Sequence, residues 1–187
     1  AETLSECHHA ISERLGYTPL KHIANSVGMV RFPEYQYDMV RLGIGLYGIN
    51  PFVEQTKIEP VASLHTIISQ IKSIKAGDTI GYNREWKVNS DMLIAVVPIG
   101  YADGFPRSLG NGKGVVLING QLAKIVGNVC MDMCMADITH IPAKEGDLVT
   151  IFGKDISITQ MAKKANRIEY EILTGISQRV KRVFVRK

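Results

Sequence analysis

GVVLINGQLAKIVGNV, residues 114–129, reads as two strands around one turn. Asn119-Gly120 between two apolar runs favours a two-residue type I′ hairpin, because both central residues of that turn take positive φ. The same grammar continues on either side. VASLHTIISQIKSI (61–74), MLIAVVPIG (92–100) and DLVTIFG (147–153) are strand-like, and Ala76-Gly77-Asp78 and Glu145-Gly146-Asp147 mark further turns. Short strands at regular spacing with Gly-rich turns predict an antiparallel barrel or sandwich. Thr159 to Lys164 and Glu169 to Leu173 interrupt it as short helices, and QRVKRVFVRK (178–187) alternates as a closing strand.

Before about residue 50 the pattern is different. Leu4, Cys7, Ile11 and Leu15 fall at helical spacing with Gly16 as a stop, so residues 3–15 should form an amphipathic helix. HIANS (22–26) reads as a short strand, VGMVRF (27–32) as a brief helix, and VRLGIGLYG (40–48) as a second strand. Helix, strand, helix, strand is the order of a parallel α/β unit. The expected boundary lies near residues 50–60, after Pro51.

The chain has 187 residues, 45% of them hydrophobic and 21% charged, enough for one domain and a piece of another. No run is long and apolar enough for a membrane span. AETLSECHHA, the first ten residues, has no cationic start and does not read as a signal peptide. Three cysteines without disulfide spacing suit a cytosolic protein. Cys130, Cys134 and His140 lack a CxxC or a second histidine, so no metal is expected. The net charge of +4 is mild. Its cluster at Arg179, Lys181, Arg182, Arg186 and Lys187 suits a solvated strand edge better than a nucleic-acid site.

Several positions are suited to chemistry. Arg41 precedes Gly43-Ile44-Gly45, where backbone N–H groups can approach an anion, and Ser26 can add a hydroxyl. The other reading is that the glycines ease packing. Tyr82 lies beside Gly81 in a loop, where a tyrosine either packs or acts. A phenol with its ordinary pKa of about 10 needs a cationic neighbour to become a base near neutrality. Tyr101 and Asp103 stand where an apolar strand meets a loop, and Asp103 with Arg107 is expected to order it. In VCMDMCMAD (129–137), Asp132 and Asp137 alternate with soft residues as on a half-buried strand.

Taken together, HIANS, VRLGIGLYG, GDTIGY, VPIGYADGFPR, the ING…IVGNVCMD run and EGDLVTIFG resemble the alanine racemases in content and order. The resemblance covers nearly the whole chain. It implies that residues 1–52 are the end of a (β/α)8 barrel that binds pyridoxal 5′-phosphate. Residues 53–187 are then the family's C-terminal β domain, giving a mainly β chain: a Greek-key-like antiparallel β-barrel with a few short helices. The resemblance further implies L-alanine and D-alanine as substrates, peptidoglycan synthesis as the purpose, and a homodimer whose active sites are shared across the interface. Arg41 then bonds the cofactor's pyridine nitrogen, and Ser26 holds its phosphate with the backbone of Gly43 and Ile44. Tyr82 is the acid–base group for the L-alanine face in the partner's site. Tyr101 gates the substrate corridor, and the Met131 N–H receives the substrate carboxylate.

Two departures accompany the resemblance. No lysine stands where the cofactor would be anchored, which truncation explains better than lost function; the chain alone is then inactive. Where many members carry a phosphate-contacting tyrosine, this chain carries Gln178. The alternative function is a non-catalytic β-barrel binding or interaction module of shared ancestry.

Overall fold

A computed structural model describes residues 1–49 and 58–185. The chain divides into two compact units, Ala1–Val61 and Ala62–Lys187. The expected break at residues 52/53 lies outside the described residues.

In the first unit α1, Glu2–Leu15, forms as expected and ends on Gly16, whose φ of 72° lets its N–H close the last turn onto the Ser12 carbonyl. The two short strands do not form. A single parallel bridge joins Asn25 to Arg41, and Ser26 opens α2, Ser26–Arg31, instead of ending a strand. Asn25 accepts the Gly28 N–H as the helix cap. VRLGIGLYG bends at Gly43 (φ −122°, ψ −97°) and then winds into a 3-10 turn, Ile44–Tyr47. β-prone residues stay extended where a neighbouring strand pairs with them, and among the described residues one bridge is all they meet.

The second unit is mainly β, an antiparallel sheet curled into a half-barrel with a few short helices. Its strands are β1 (Leu64–Ile67), β2 (Gln70–Ile74), β3 (Thr79–Ile80), β4 (Trp86–Lys87), β5 (Met92–Val97), β6 (Val115–Ile118), β7 (Gln121–Val126), β8 (Cys134–Asp137) and β9 (Leu148–Phe152). Seven of them pair in the order β1-β9-β6-β7-β8-β5-β2. The run β9-β6-β7-β8 is a Greek key, with the fourth strand returning beside the first. Both ends of the order come from residues 64–74. That run breaks at Ile68-Ser69 and passes from one edge of the sheet to the other, which is what curls it.

The founding hairpin forms in the predicted register, with Leu117 opposite Leu122 and Ile118 opposite Gln121. Asn119 (φ 47°) and Gly120 (φ 77°) make its turn. Val116, Ile118, Ala123 and Ile125 point into a core shared with Phe105, Leu109, Ile151 and Ile172, while Leu122 faces out. α3, Ile158–Ala165, covers this core with Met161, Ala162 and Ala165, capped by Ser157. α4, Glu169–Gly175, adds Ile172. A smaller cluster of Ile80, Val88, Ile94, Val126 and Met135 lies beneath β3 and β4.

The alternating tail is not a strand: residues 178–185 are turn and coil, and Arg186 and Lys187 lie outside the described residues. The edge strands β1 and β2 each pair on one side among the described residues, and the tail joins neither of them. The Arg182 guanidinium instead folds the segment back by donating to the carbonyls of Ile176, Ser177 and Val180.

Candidate active site

Of the sequence-predicted site residues, Ser26, Arg41, Gly43 and Ile44 are drawn together in the first unit. The Gly43 N–H donates to the buried Ser26 hydroxyl at 2.7 Å. Having accepted that bond, Ser26 keeps its own proton to donate. The Ile44 and Gly45 N–H groups open a 3-10 turn and have no partner among the described residues. One hydroxyl and two unspent amides suit the oxygens of a phosphate. A methyl built on Gly45 would press on Leu42 at 3.2 Å and face Ser26 Oγ at 3.8 Å, so the close packing here uses the missing side chain. Arg41 is tied by its backbone N–H to the Ala24 carbonyl. Its Nη2 donates to the Ile23 carbonyl at 3.2 Å, leaving the rest of the guanidinium fork exposed.

The second unit presents Tyr82, Tyr101 and Met131. Ile80 pairs with Trp86, so Tyr82 sits at the tip of the short β3–β4 hairpin, 72% exposed. Its hydroxyl has no partner among the described residues. Gly100 lets the Tyr101 loop lie against residues 130 and 131, because a methyl there would overlap the carbonyl oxygens of Cys130 and Met131. Tyr101 N–H donates to Cys130 O at 3.1 Å and Ala102 N–H to Met131 O at 3.0 Å. The Met131 N–H itself is unspent among the described residues, and the residue is 54% exposed. An open groove of about 430 Å³ is lined by Tyr82, Gly81, Lys72, Cys130 and Met133. The Cys130 thiol is pushed up by burial, against which Arg107 pulls it down. Cys134, almost wholly buried, is pushed up to about 12 by burial and by Cys130. Neither thiol is poised as a nucleophile near neutral pH.

Asp103 does order its loop, with Oδ2 accepting the Gly100 N–H at 2.8 Å, but its partner is not Arg107. Arg179 donates from Nε to Asp103 at 2.7 Å and from Nη2 to Asp132 at 2.6 Å. It clamps the Tyr101 loop to the Met131 loop, and its own pKa is raised by these two hydrogen bonds. Gln178, the residue before it, is exposed in the turn after α4. Among the described residues no group of three or more His, Cys, Asp or Glu side chains could hold a metal.

The profile of the family described as "Alanine racemase, C-terminal domain" matches residues 61–184, and that described as "Alanine racemase, N-terminal domain" matches residues 1–51. The chain belongs to the alanine racemase family. An alanine racemase of Halothermothrix orenii is 42% identical over 177 residues, 90% of this chain and 46% of that protein. The crystal structure of alanine racemase from Streptomyces lavendulae superposes with a TM-score of 0.88 at 34% identity, covering 95% of this chain and 49% of its own. That from Bartonella henselae, with covalently bound pyridoxal phosphate, gives a TM-score of 0.85 at 32% identity, covering 99% of this chain and 53% of its own. The chain therefore spans about half the length of the racemases it matches.

Sequence reasoning missed Asn128, Asp132 and Arg179 as parts of the candidate site. Asn128 had a signal, a carboxamide closing the apolar run LAKIVGNV. Arg179 had none, since its partners are 76 and 47 residues away.

Proposed function

We propose that this chain is the C-terminal part of a racemase that interconverts L-alanine and D-alanine with pyridoxal 5′-phosphate. Residues 1–52 are read as the end of the cofactor-binding barrel and residues 53–187 as the β domain. Bound pyridoxal phosphate supplies an electron sink that makes the α-proton of an attached amino acid removable. The donor set around Ser26 fits its phosphate. Ser26 donates its hydroxyl proton there, and Gly43 and Ile44 shape the backbone that lies against the same anion. Arg41 offers the pyridine nitrogen a hydrogen bond but no proton, because a guanidinium does not deprotonate in a protein.

Tyr82 removes or returns the α-proton on the L-alanine face through its phenol oxygen. A base on the other face, supplied by the rest of the full-length protein, serves D-alanine. Two faces need two groups, since a single group returns the proton where it took it. Met131 N–H receives the substrate carboxylate, and Tyr101 narrows the approach. The Arg179 clamp keeps these two loops in register.

The observation that carries the reading is how the residues sort. The anion cradle belongs to one compact unit, and the exposed, unspent Tyr82 phenol and Met131 N–H belong to the other. That division suits a homodimer in which Tyr82, Tyr101 and Met131 serve the partner's cofactor. Supply of D-alanine for peptidoglycan in the cytoplasm is the role that fits; no helix among the described residues is long and apolar enough to cross a membrane. The test is a coupled assay of L- to D-alanine conversion by the full-length protein with added pyridoxal phosphate. Cofactor-dependent turnover is expected, and a folded, cofactor-loaded protein that leaves alanine unchanged refutes the reading.

A further inference from the structure

Asn128 is the one buried polar side chain of the second unit among the described residues, 7% exposed and two residues beyond the end of β7. Burying a carboxamide is unfavourable unless its donors and acceptor are matched. Here they are matched by two turns. Nδ2 donates to the Tyr82 carbonyl at 3.3 Å and to Glu85 Oε2 at 2.9 Å, and Oδ1 accepts from Asn111 Nδ2 at 3.0 Å. On its other side the Asn128 backbone N lies 3.3 Å from where a methyl on Gly81 would stand.

The turn so held is one that would not keep its shape unaided. Gly81 has φ 79°, and after Tyr82 come Asn83 at φ 60° and Arg84 at φ 54°. Two successive left-handed non-glycine residues persist only where the surroundings over-determine them. β3 and β4 are two residues each, too short to impose the turn. Asn128 bonds both sides of the strained pair, at Tyr82 and at Glu85.

We propose that Asn128 is the positioning residue for Tyr82, fixing the backbone from which its phenol reaches the substrate. The proposal rests on the reading of Tyr82 as the L-face acid–base group. It requires the two donors of Asn128 and not merely its volume, so Asn128→Asp, which keeps the shape and loses the donors, should be as defective as Asn128→Ala.

The test uses the full-length protein with cofactor and two readouts. Amide hydrogen exchange in residues 81–86 is expected to quicken roughly tenfold in both variants, the effect of losing about one net hydrogen bond. Exchange in β5 and β7 should stay at the wild-type rate. In D2O, α-proton exchange from L-alanine should fall roughly tenfold or more while exchange from D-alanine falls less. The proposal is overturned if exchange in 81–86 is unchanged, if β5 and β7 loosen equally, if Asn128→Asp matches the wild type, or if L- and D-alanine exchange fall alike. Wild-type protein that exchanges neither α-proton refutes the racemase reading itself; an active wild type with an unaltered 81–86 turn refutes only the role of Asn128.

Discussion

Replacing Tyr82 by Phe isolates one oxygen atom. That oxygen has no partner among the described residues and sits on a side chain that is 72% exposed, so its loss removes no interaction within the described fold. Surface changes of this kind shift stability by about 0.5 kcal/mol or less, and the melting temperature should not move measurably. Catalysis should respond far more, because a positioned acid–base group contributes about 10²–10⁴-fold. That corresponds to about 3–5 kcal/mol in the barrier. Racemisation has an equilibrium constant of one, since enantiomers have equal free energy in water, so kcat/KM must fall equally in both directions. Net rates therefore cannot reveal which face Tyr82 serves. Exchange of the α-proton in D2O can. With the phenol gone, D-alanine still loses its proton to the opposite base and regains deuterium on the same face, exchanging without inversion. L-alanine has lost its base and exchanges slowly. The expected result is a ratio of D-alanine exchange to racemisation well above that of the wild type. Equal suppression of L- and D-alanine exchange would refute the assignment, as would a large fall in melting temperature.

Further expectations follow from the loops around Tyr82. Arg179→Ala releases Asp103 and Asp132 together, and should raise the KM for alanine roughly ten- to hundredfold in the full-length protein through misplaced Tyr101 and Met131; an unchanged KM counts against the clamp. Gly100→Ala forces Cys130 and Met131 away from the Tyr101 loop, and should destabilise by about 1–3 kcal/mol with loss of activity, read by urea unfolding and turnover. Cys134 has a folded pKa raised from near 9 to about 12. Its neutral burial thus stabilises fully below pH 9, and this contribution is lost as the pH rises from 9 towards 12. Cys134→Ala should flatten the fall in stability across that window, and an identical pH profile would show that the thiol does not titrate as described. The 187-residue chain alone, given pyridoxal phosphate, should not racemise alanine; turnover near that of the full-length protein would contradict the reading that the cofactor's anchoring lysine lies outside these residues.

What could be read in the sequence was what is decided locally. The 114–129 hairpin was legible because Asn119-Gly120 fixes the turn and strict alternation then fixes the face of every residue around it. α1 was legible from its apolar spacing and glycine stop, and α3 and α4 were placed as short helices within a residue or two of their bounds. VRLGIGLYG and residues 178–185 of the tail were misread for one reason: β-propensity states a willingness to pair and says nothing about which partner, if any, the fold brings alongside. Among the described residues the first unit forms one bridge, and the tail is held by Arg182 bonding back to the Ile176, Ser177 and Val180 carbonyls instead of joining the sheet. Within the candidate site, Arg41, Ser26 and Tyr82 were singled out through motif order, and their roles stand as proposals. Asp103 was given the wrong arginine, because Arg107 is near in sequence and Arg179 is near only in the fold.

In the homodimer proposed above, Tyr82 of one chain completes the cofactor site of its partner. Tyr82→Phe and Arg41→Ala full-length proteins, each inactive alone, can be unfolded together and refolded as mixed dimers. A mixed dimer then contains one site with an intact cradle and an intact tyrosine, so a random mixture should recover about a quarter of wild-type activity. No recovery, in a mixture shown to contain heterodimer, would contradict the account.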